Sequence, residues 1–411
     1  MSSILTNNGA MVALQTLKSI NKGLSETQSI ISTGKSVANS KDNAAVWAIS
    51  KVMESDVSGF KAISSSLSLG ESTVAVGRQA AETVNDLLTQ MKDKIVASQE
   101  SNVDRAKIQT DIAALRDQIT SVVGAAQFNG LNLLSNTSKT AGSGNVEILS
   151  SLDRSGTGVQ ASEISVSKQD LGTGATVLGT TTGTSANAGT AGTVAAGATG
   201  GLATFTAPTT IGSVYSITAV GGTALTSAAT YVSRDGDTLA DVVREMASRV
   251  QFQAQNQGLD VTMSAGTAAG SLNVTNNTSA ALVNVAASAT QGLVIDATAT
   301  GKIGGGLEYL SKVDVTTTNG AKAALGLVEG LITTAIESAS AFGSAQKRIE
   351  TQSDFVGKLT DALKSGIGSL VDANMEEASA RLQALQVQQQ LGVQSLSIAN
   401  QAPQSILSLF R

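Results

Sequence analysis

Cysteine and histidine are both absent from the 411 residues. That removes disulfides, thiolate nucleophiles, Cys/His zinc sites and the imidazole general base. Any catalysis would have to run on carboxylates, amines, guanidinium groups and hydroxyls. Proline occurs only at Pro208 and Pro403, and aromatic residues make up 3% of the chain. A chain so poor in large rings does not easily build a thick globular core; its Ala, Leu, Ile and Val suit thin helix-on-helix packing. With 27 basic and 32 acidic residues, a net charge of −5 and no Lys/Arg cluster, neither nucleic acid nor a membrane is an expected partner. No apolar run reads as a bilayer-spanning segment. The first basic residue is Lys18, so the charged region of a secretory signal is missing. The expectation is a protein that stays in the cytoplasm or leaves by a route without signal cleavage. The length has room for two or three domains.

What is present is helical periodicity at both ends. From Val46 the apolar positions step by threes and fours through Ile49, Met53, Asp56, Phe60, Ile63, Leu67, Gly70, Val74, Gly77, Ala81, Val84, Leu88, Met91 and Ile95. This is a heptad seam weakened by one acid and two glycines. A helix of about 55 residues would be roughly 80 Å long, which implies a rod. After a break at Glu100–Asn102, a second seam uses Ile108, Ile112, Leu115, Ile119 and Val122; the short connection favours an antiparallel hairpin. The far end has a seam through Phe342, Ala345, Ile349, Gln352, Val356, Leu359, Leu363, Gly366, Leu370 and Ala373. Its register then slips to Met375, Ala378, Leu382, Leu385, Gln389, Gly392, Leu396 and Ala399. Such a slip marks a joint or a change of packing partner. The first helix has a shorter seam, Leu14, Leu17, Asn21, Leu24, Gln28 and Ile31, two of them polar. Alone it would be marginal in water. The tail "SILSLFR" places Ile406, Leu407, Leu409 and Phe410 where nothing follows to cover them.

The middle differs. Residues 171–233 contain no charged side chain in 63 positions. "SVYSITAV" and "SLNVTN" read as strands, and Gly and Asn clusters as turns. "DTLADVVREMASRVQ" reads as one helix with Leu239, Val242, Val243, Met246 and Val250 on a face and Asp237 as N-cap. The expected fold is mainly α: a long antiparallel helical rod or coiled coil formed by both termini, with a β-rich (α+β) central insertion.

Candidate sites have bland readings. "GKIGGG", Gly301 to Gly306, lacks the Gly-Lys-Ser/Thr ending of a phosphate loop and reads as a flexible return link. Glu376 and Glu377 point about 100° apart on a helix and so share no site. Asn-x-Ser/Thr sequons at Asn136, Asn273, Asn276 and Asn277 suggest surface loops. No catalytic, cofactor or metal site is expected.

Three stretches carry a family resemblance. "ISTGKSVANSKDNAAVWAIS" (31–50), "AAQFNGLNLLS" (125–135) and "LSIANQAPQSILSLFR" (396–411) are similar to motifs at matching places in bacterial flagellins. "GDTLADVVREM" resembles an insertion unit of flagellins and hook-associated proteins. The resemblance implies a filament subunit without enzymatic activity. Its domains would be 1–42 with 374–411, a terminal coiled coil lining the filament channel; 43–164 with 307–373, a helical rod; and 165–306, a surface-exposed variable insertion. A hook–filament junction protein is the alternative. The implied partners are further copies of the chain or other flagellins, an export chaperone, a filament cap protein and the junction proteins. Export would run through the flagellar type III apparatus to an extracellular filament. Polymerisation would fall to Leu5, Leu14, Leu17, Leu24, Ile31, Leu382, Leu385, Leu396, Ile406, Leu407, Leu409, Phe410 and Arg411. The joint between terminal helix and rod would hold Gly34 as a C-cap, Ser40 as the next N-cap, Asp42 in the first turn and Trp47 as a packing anchor. Lys35, Ser36 and Val37 depart from the family's Leu-Arg-Ile. "LLTQMKDKIVASQES" also departs from the pattern read by the innate toll-like flagellin receptor. Lys92 and Asp93 stand in part of that site, and the departure implies weak or no receptor activation.

Overall fold

The computed structural model describes residues 7–155, 158–179, 181–182, 186–284, 289–295 and 301–409. Three helices lead: α1 (Asn8–Thr33), α2 (Ala44–Ala97) and α3 (Arg105–Ala125). Two hairpins follow, β1 (Gln127–Phe128) with β2 (Leu131–Asn132), and β3 (Asn145–Ser155) with β4 (Gly158–Ser167). The middle carries β5 (Thr181–Thr182), β6 (Ala186–Asn187), β7 (Gly192–Val194), β8 (Thr199–Thr204), β9 (Ser213–Val220), β10 (Thr223–Val232), α4 (Leu239–Asn256), β11 (Val261–Ala265), β12 (Ser271–Asn276), β13 (Leu282–Asn284) and β14 (Ala289–Ile295). A 3₁₀ turn at Glu308–Lys312 leads into α5 (Thr318–Val371) and α6 (Met375–Leu409). The molecule is therefore mainly helical with a β-rich centre. Contacts divide it into two compact units, residues 1–64 with 354–411, and residues 65–353.

In the 65–353 unit the heptad side chains of α2 go inside. Leu67, Val74, Ala81, Val84, Leu88, Met91 and Ile95 are buried, with Ile112, Ile119 and Val123 of α3 and Val328, Leu331, Phe342 and Ile349 of α5. Gly77 packs toward Leu133 and Phe342, where a Cβ would meet ordinary contact at 3.4 and 3.5 Å. Lys94–Asp111 (2.6 Å) ties α2 to α3, and Lys92–Glu329 (2.8 Å) ties α2 to α5. Asn129 and Gly130 both have positive φ (50° and 81°), the conformation Asn-Gly adopts in a two-residue hairpin turn.

α5 begins well before Phe342. Its first half is apolar on several faces because Ala321, Ala323, Ala324, Leu327 and Val328 are all buried; no clean seam marks it. By length and composition alone α5 is apolar enough to cross a membrane, which corrects the expectation that no segment is.

The insertion has its own apolar interior. α4 packs on β9, β10 and β11, and the cluster around Phe205, Tyr215, Ile217, Val242, Met246, Val250, Val261, Leu272 and Val274 lies wholly within 188–289. The sheets order as β10-β9-β14-β5, with β6 also on β14, and β11-β12-β8. α4 is capped by Thr238, not Asp237: Thr238 and Asp241 form a reciprocal capping box. Asp237 instead accepts from the Tyr231 hydroxyl and from the Arg234 N–H (2.7 Å). Two sequons also lie inside rather than on surface loops. Asn276 is fully buried, donating to the carbonyls of Val194 (3.1 Å) and Ala280 (2.8 Å), and buried Asn136 donates to that of Asp235 (2.9 Å).

The glycine run is not a flexible link. The outgoing and returning chains pair: Val177 and Lys302 exchange hydrogen bonds (3.0 and 2.8 Å), Gly305 donates to Gly174 (2.8 Å) and Leu307 to Gly172 (2.8 Å). Gly304, Gly305 and Gly306 are buried. Glycine is needed there because a Cβ at residue 305 would lie 2.0 Å from the Gly172 carbonyl oxygen. We expect Gly305→Ala to cost about 1–3 kcal/mol, the usual toll of overpacking, seen as a lowered urea midpoint. Gly124→Ala, where a Cβ meets open space, should not lower it. Equal midpoints for Gly305→Ala and the natural chain would contradict the pairing.

Candidate functional site

The 1–64/354–411 unit is built from a helix pair. α1 opens at Asn7, whose Oδ1 accepts from the Ala10 N–H (3.1 Å) while its Nδ2 donates to the Ala399 carbonyl (2.8 Å). Further along, Gln389 Nε2 donates to Asn21 Oδ1 (2.8 Å). Gly392 faces Leu17 and Gly23 faces Leu385, with 3.3 and 3.5 Å left for a Cβ. The partners run in opposite directions along the chain, so α1 and α6 are antiparallel. The polar seam positions Asn21 and Gln389 meet each other, a pairing that pins helix register.

This pair hides little. Thr27 is the buried residue of α1. Leu17, Leu24, Ile31, Leu382, Leu385 and Leu396 are half-buried. Leu14 is exposed, and so are Met11, Val12 (64%), Val387, Leu391, Val393 and Ile398 (68%). On α6, Val387, Leu391 and Ile398 recur at helical spacing on one side, as in a surface that meets a partner. Leu5, Phe410 and Arg411 lie outside the described residues, as do the side chains of Ile406, Leu407 and Leu409.

Two chain breaks sit beside each other at the foot of this pair. Gly34 ends α1 in the left-handed region (φ 69°), its N–H donating to the Ile30 carbonyl (2.8 Å). Lys35 then bridges to Asp372 in the break between α5 and α6. Ser36 donates to the Val371 carbonyl through its N–H (2.7 Å) and its hydroxyl (3.1 Å), and Ala373 donates to the Gly34 carbonyl (3.0 Å). The register slip in the sequence falls on this break. The hydrogen bonds joining the two breaks leave no side-chain pattern that the sequence could have disclosed.

The joint's caps differ from expectation. α2 starts at Ala44, and its N-cap is Asn43, whose Oδ1 accepts from the Val46 N–H (3.2 Å). Ser40 is exposed and lies ahead of that helix. Asp42 also precedes it; its carboxylate accepts from the N–H groups of Ala38 (2.9 Å) and Asn39 (3.0 Å), shaping the turn. Trp47 is half-buried in the first turn of α2. Asn374 caps α6 by accepting from Glu376 (3.1 Å) and Glu377 (3.3 Å). Lys35 pairs with Glu54 (3.6 Å), which Lys51 also holds (2.6 Å). The Lys51 hydrogen bond, helped by the charges of Lys51 and Lys35, keeps the Glu54 carboxyl below its ordinary range against a slight desolvation.

The seam residues fall in both units. Phe60, Leu359 and Leu363 are half-buried and Ile63 is buried in this one; Leu67, Val74, Val84 and Leu88 are buried and Ile108 and Leu115 half-buried in the other. Ile49 is exposed despite its seam position. Lys92 is paired with Glu329 and Asp93 is exposed. Among the described residues no three carboxyl, thiol or imidazole groups come together in a way that could hold a metal ion.

Residues 4–139 match the family model for the bacterial flagellin N-terminal helical region, and residues 325–410 that for the C-terminal helical region. Flagellin A of Rhizobium meliloti is 36% identical over 428 residues, covering 100% of both chains, and Flagellin B of that organism is 35% identical over 429, again covering 100% of both. Flagellin FljM of Caulobacter vibrioides is 28% identical over 414 residues, covering 100% of this chain and 99% of its own.

We expect Gly34→Val to lower the midpoint of helix loss on heating, by about 1–3 kcal/mol in stability, because a β-branched residue is strained in the left-handed region. Gly34→Asn should lose much less. Equal midpoints for the two, followed by circular dichroism, would contradict the left-handed cap.

Proposed function

The chain belongs to the bacterial flagellin family, and from that premise we propose how its two ends build a polymer. Flagellins are structural proteins, and this one is a subunit of the helical filament of the bacterial flagellum, which serves motility. The named relatives are filament proteins, which favours the filament over the hook–filament junction.

In our reading, residues 1–42 and 374–411 form the terminal coiled coil that lines the filament channel. Residues 43–164 and 307–373 form the shell around it, and 165–306 faces outward. One observation supports this most: α1 and α6 leave Met11, Val12, Leu14, Val387, Leu391, Val393 and Ile398 exposed. Neighbouring copies would cover these side chains. Burial contributes about 25 cal/mol per Å², less the cost of ordering the helices, so association and terminal folding are coupled and depend on subunit concentration. A head-to-tail contact that does not close on itself grows into an open helix. The joint fixes where the terminal pair leaves the outer helices and so sets how subunits stack. Export would be through the flagellar type III apparatus, with a chaperone on the C-terminal region, a cap protein at the growing tip and junction proteins at the base. We assign the chain no catalysis and no cofactor.

Deleting Ala399–Arg411 tests this reading. The truncated chain should give no filaments by electron microscopy after seeding, while the α2 and α3 helices keep their helical signal. Stable filaments from the truncated chain would refute the role of the tail.

A further inference from the structure

The insertion has its own apolar cluster, contained in residues 188–289. Its contacts with α5 are of another kind. Gly326 and Gly330 let α4 come close, leaving 3.2 Å to Gln251 Nε2 and 3.4 Å to Ser248 Oγ for a Cβ. Arg244 meets Glu337 at 3.4 Å. Apolar contacts at this boundary include Phe252 against Tyr309, ring centroids 6.0 Å apart, and Ile303 against Val214 and Val232.

Two buried ion pairs cross it: Arg234 with Asp170 (3.0 Å), the guanidinium also donating to the Gly304 carbonyl (3.0 Å), and Arg249 with Glu308. Arg249 on α4 and Glu308, just past the returning chain, are 2% and 5% exposed and form a direct ion pair. Arg249 also donates to the Thr230 carbonyl (2.7 Å) and pairs with Glu245 (3.2 Å). The other oxygen of Glu308 accepts from the N–H (2.7 Å) and hydroxyl (2.6 Å) of Thr176 on the outgoing chain. The Arg249 guanidinium lies 4.9 Å from the Tyr231 ring and 4.7 Å from that of Tyr309. Outgoing chain, returning chain and α4 thus meet at one carboxylate.

We propose that Arg249 and Glu308 form a latch, with Thr176 as its brace, that docks the insertion on the helical part of the 65–353 unit. The insertion is a separately cored module. Removing the Glu308 charge leaves buried Arg249 with Glu245 as its carboxylate partner and takes away the contact that ties it to the links, which opens the paired links while the module's interior stays closed. The insertion then has two states, docked and tethered, and the latch sets their balance.

Trypsin reads the two states in the full-length chain. Residues 171–233 contain no basic site, so cuts after Lys168 and Lys302 report the links and cuts after Arg244 and Arg249 report α4. Glu308→Gln keeps the shape and removes the charge. It should speed cleavage at Lys168 and Lys302 at least tenfold and leave Arg244 and Arg249 as resistant as in the natural chain. Should Glu308→Gln be insoluble, Thr176→Val, which loses only the hydroxyl, should give the same pattern at about threefold. Unchanged cleavage at the links in the soluble variant would overturn the latch. Equal acceleration at the links and in α4 would overturn the separate module.

Discussion

Two helices can hide only the stripe that each turns toward the other. α1 and α6 are such a pair, and the constraint leaves Met11, Val12, Val387, Leu391 and Ile398 in contact with water. In a single chain nothing offsets that exposure except the few contacts of the seam. In the filament we propose, other copies supply the remaining covering surface. A pair with a full core of its own would have less to gain from assembly.

The 65–353 unit solves the opposite problem. Three long helices enclose Leu67 to Ile95 of α2 with Phe342 and Ile349 of α5, and the insertion closes a further apolar interior of its own. The unit therefore has the burial expected of an independently stable fold. The contrast between the two units is carried by α2 and α5, which contribute residues to both. At the foot of the helix pair, the Gly34–Ser36 and Val371–Ala373 breaks exchange backbone hydrogen bonds. Such bonds hold two chain segments together without an apolar core, which is useful where side chains are committed to other surfaces.

Much of this could be read from the sequence where period and burial coincide. The α2 heptads and strand β12 each bury one face, so their patterns are plain in the sequence. The first half of α5 was not, because residues such as Ala323, Leu327 and Val328 are enclosed on more than one side and no single stripe results. Caps were misplaced by one to three residues, Asn43 for Ser40 and Thr238 for Asp237, since Ser, Asp, Asn and Thr compete for that role in a polar run. The pairing of the insertion's links was hidden because "GGG" signals freedom of backbone in a sequence and close packing in a fold. The joint between residues 34–37 and 371–373 was only hinted at, by the slip in heptad register.

The central claim is that the terminal helix pair completes its folding only against other copies. Amide hydrogen exchange on the soluble chain and on assembled filaments addresses it most directly. Peptides from α1 (Asn8–Thr33) and α6 (Met375–Leu409) should exchange quickly in the soluble chain and become strongly protected in the filament, with the part of α2 from Leu67 to Ile95 protected in both. Terminal peptides equally protected before and after assembly would contradict the account.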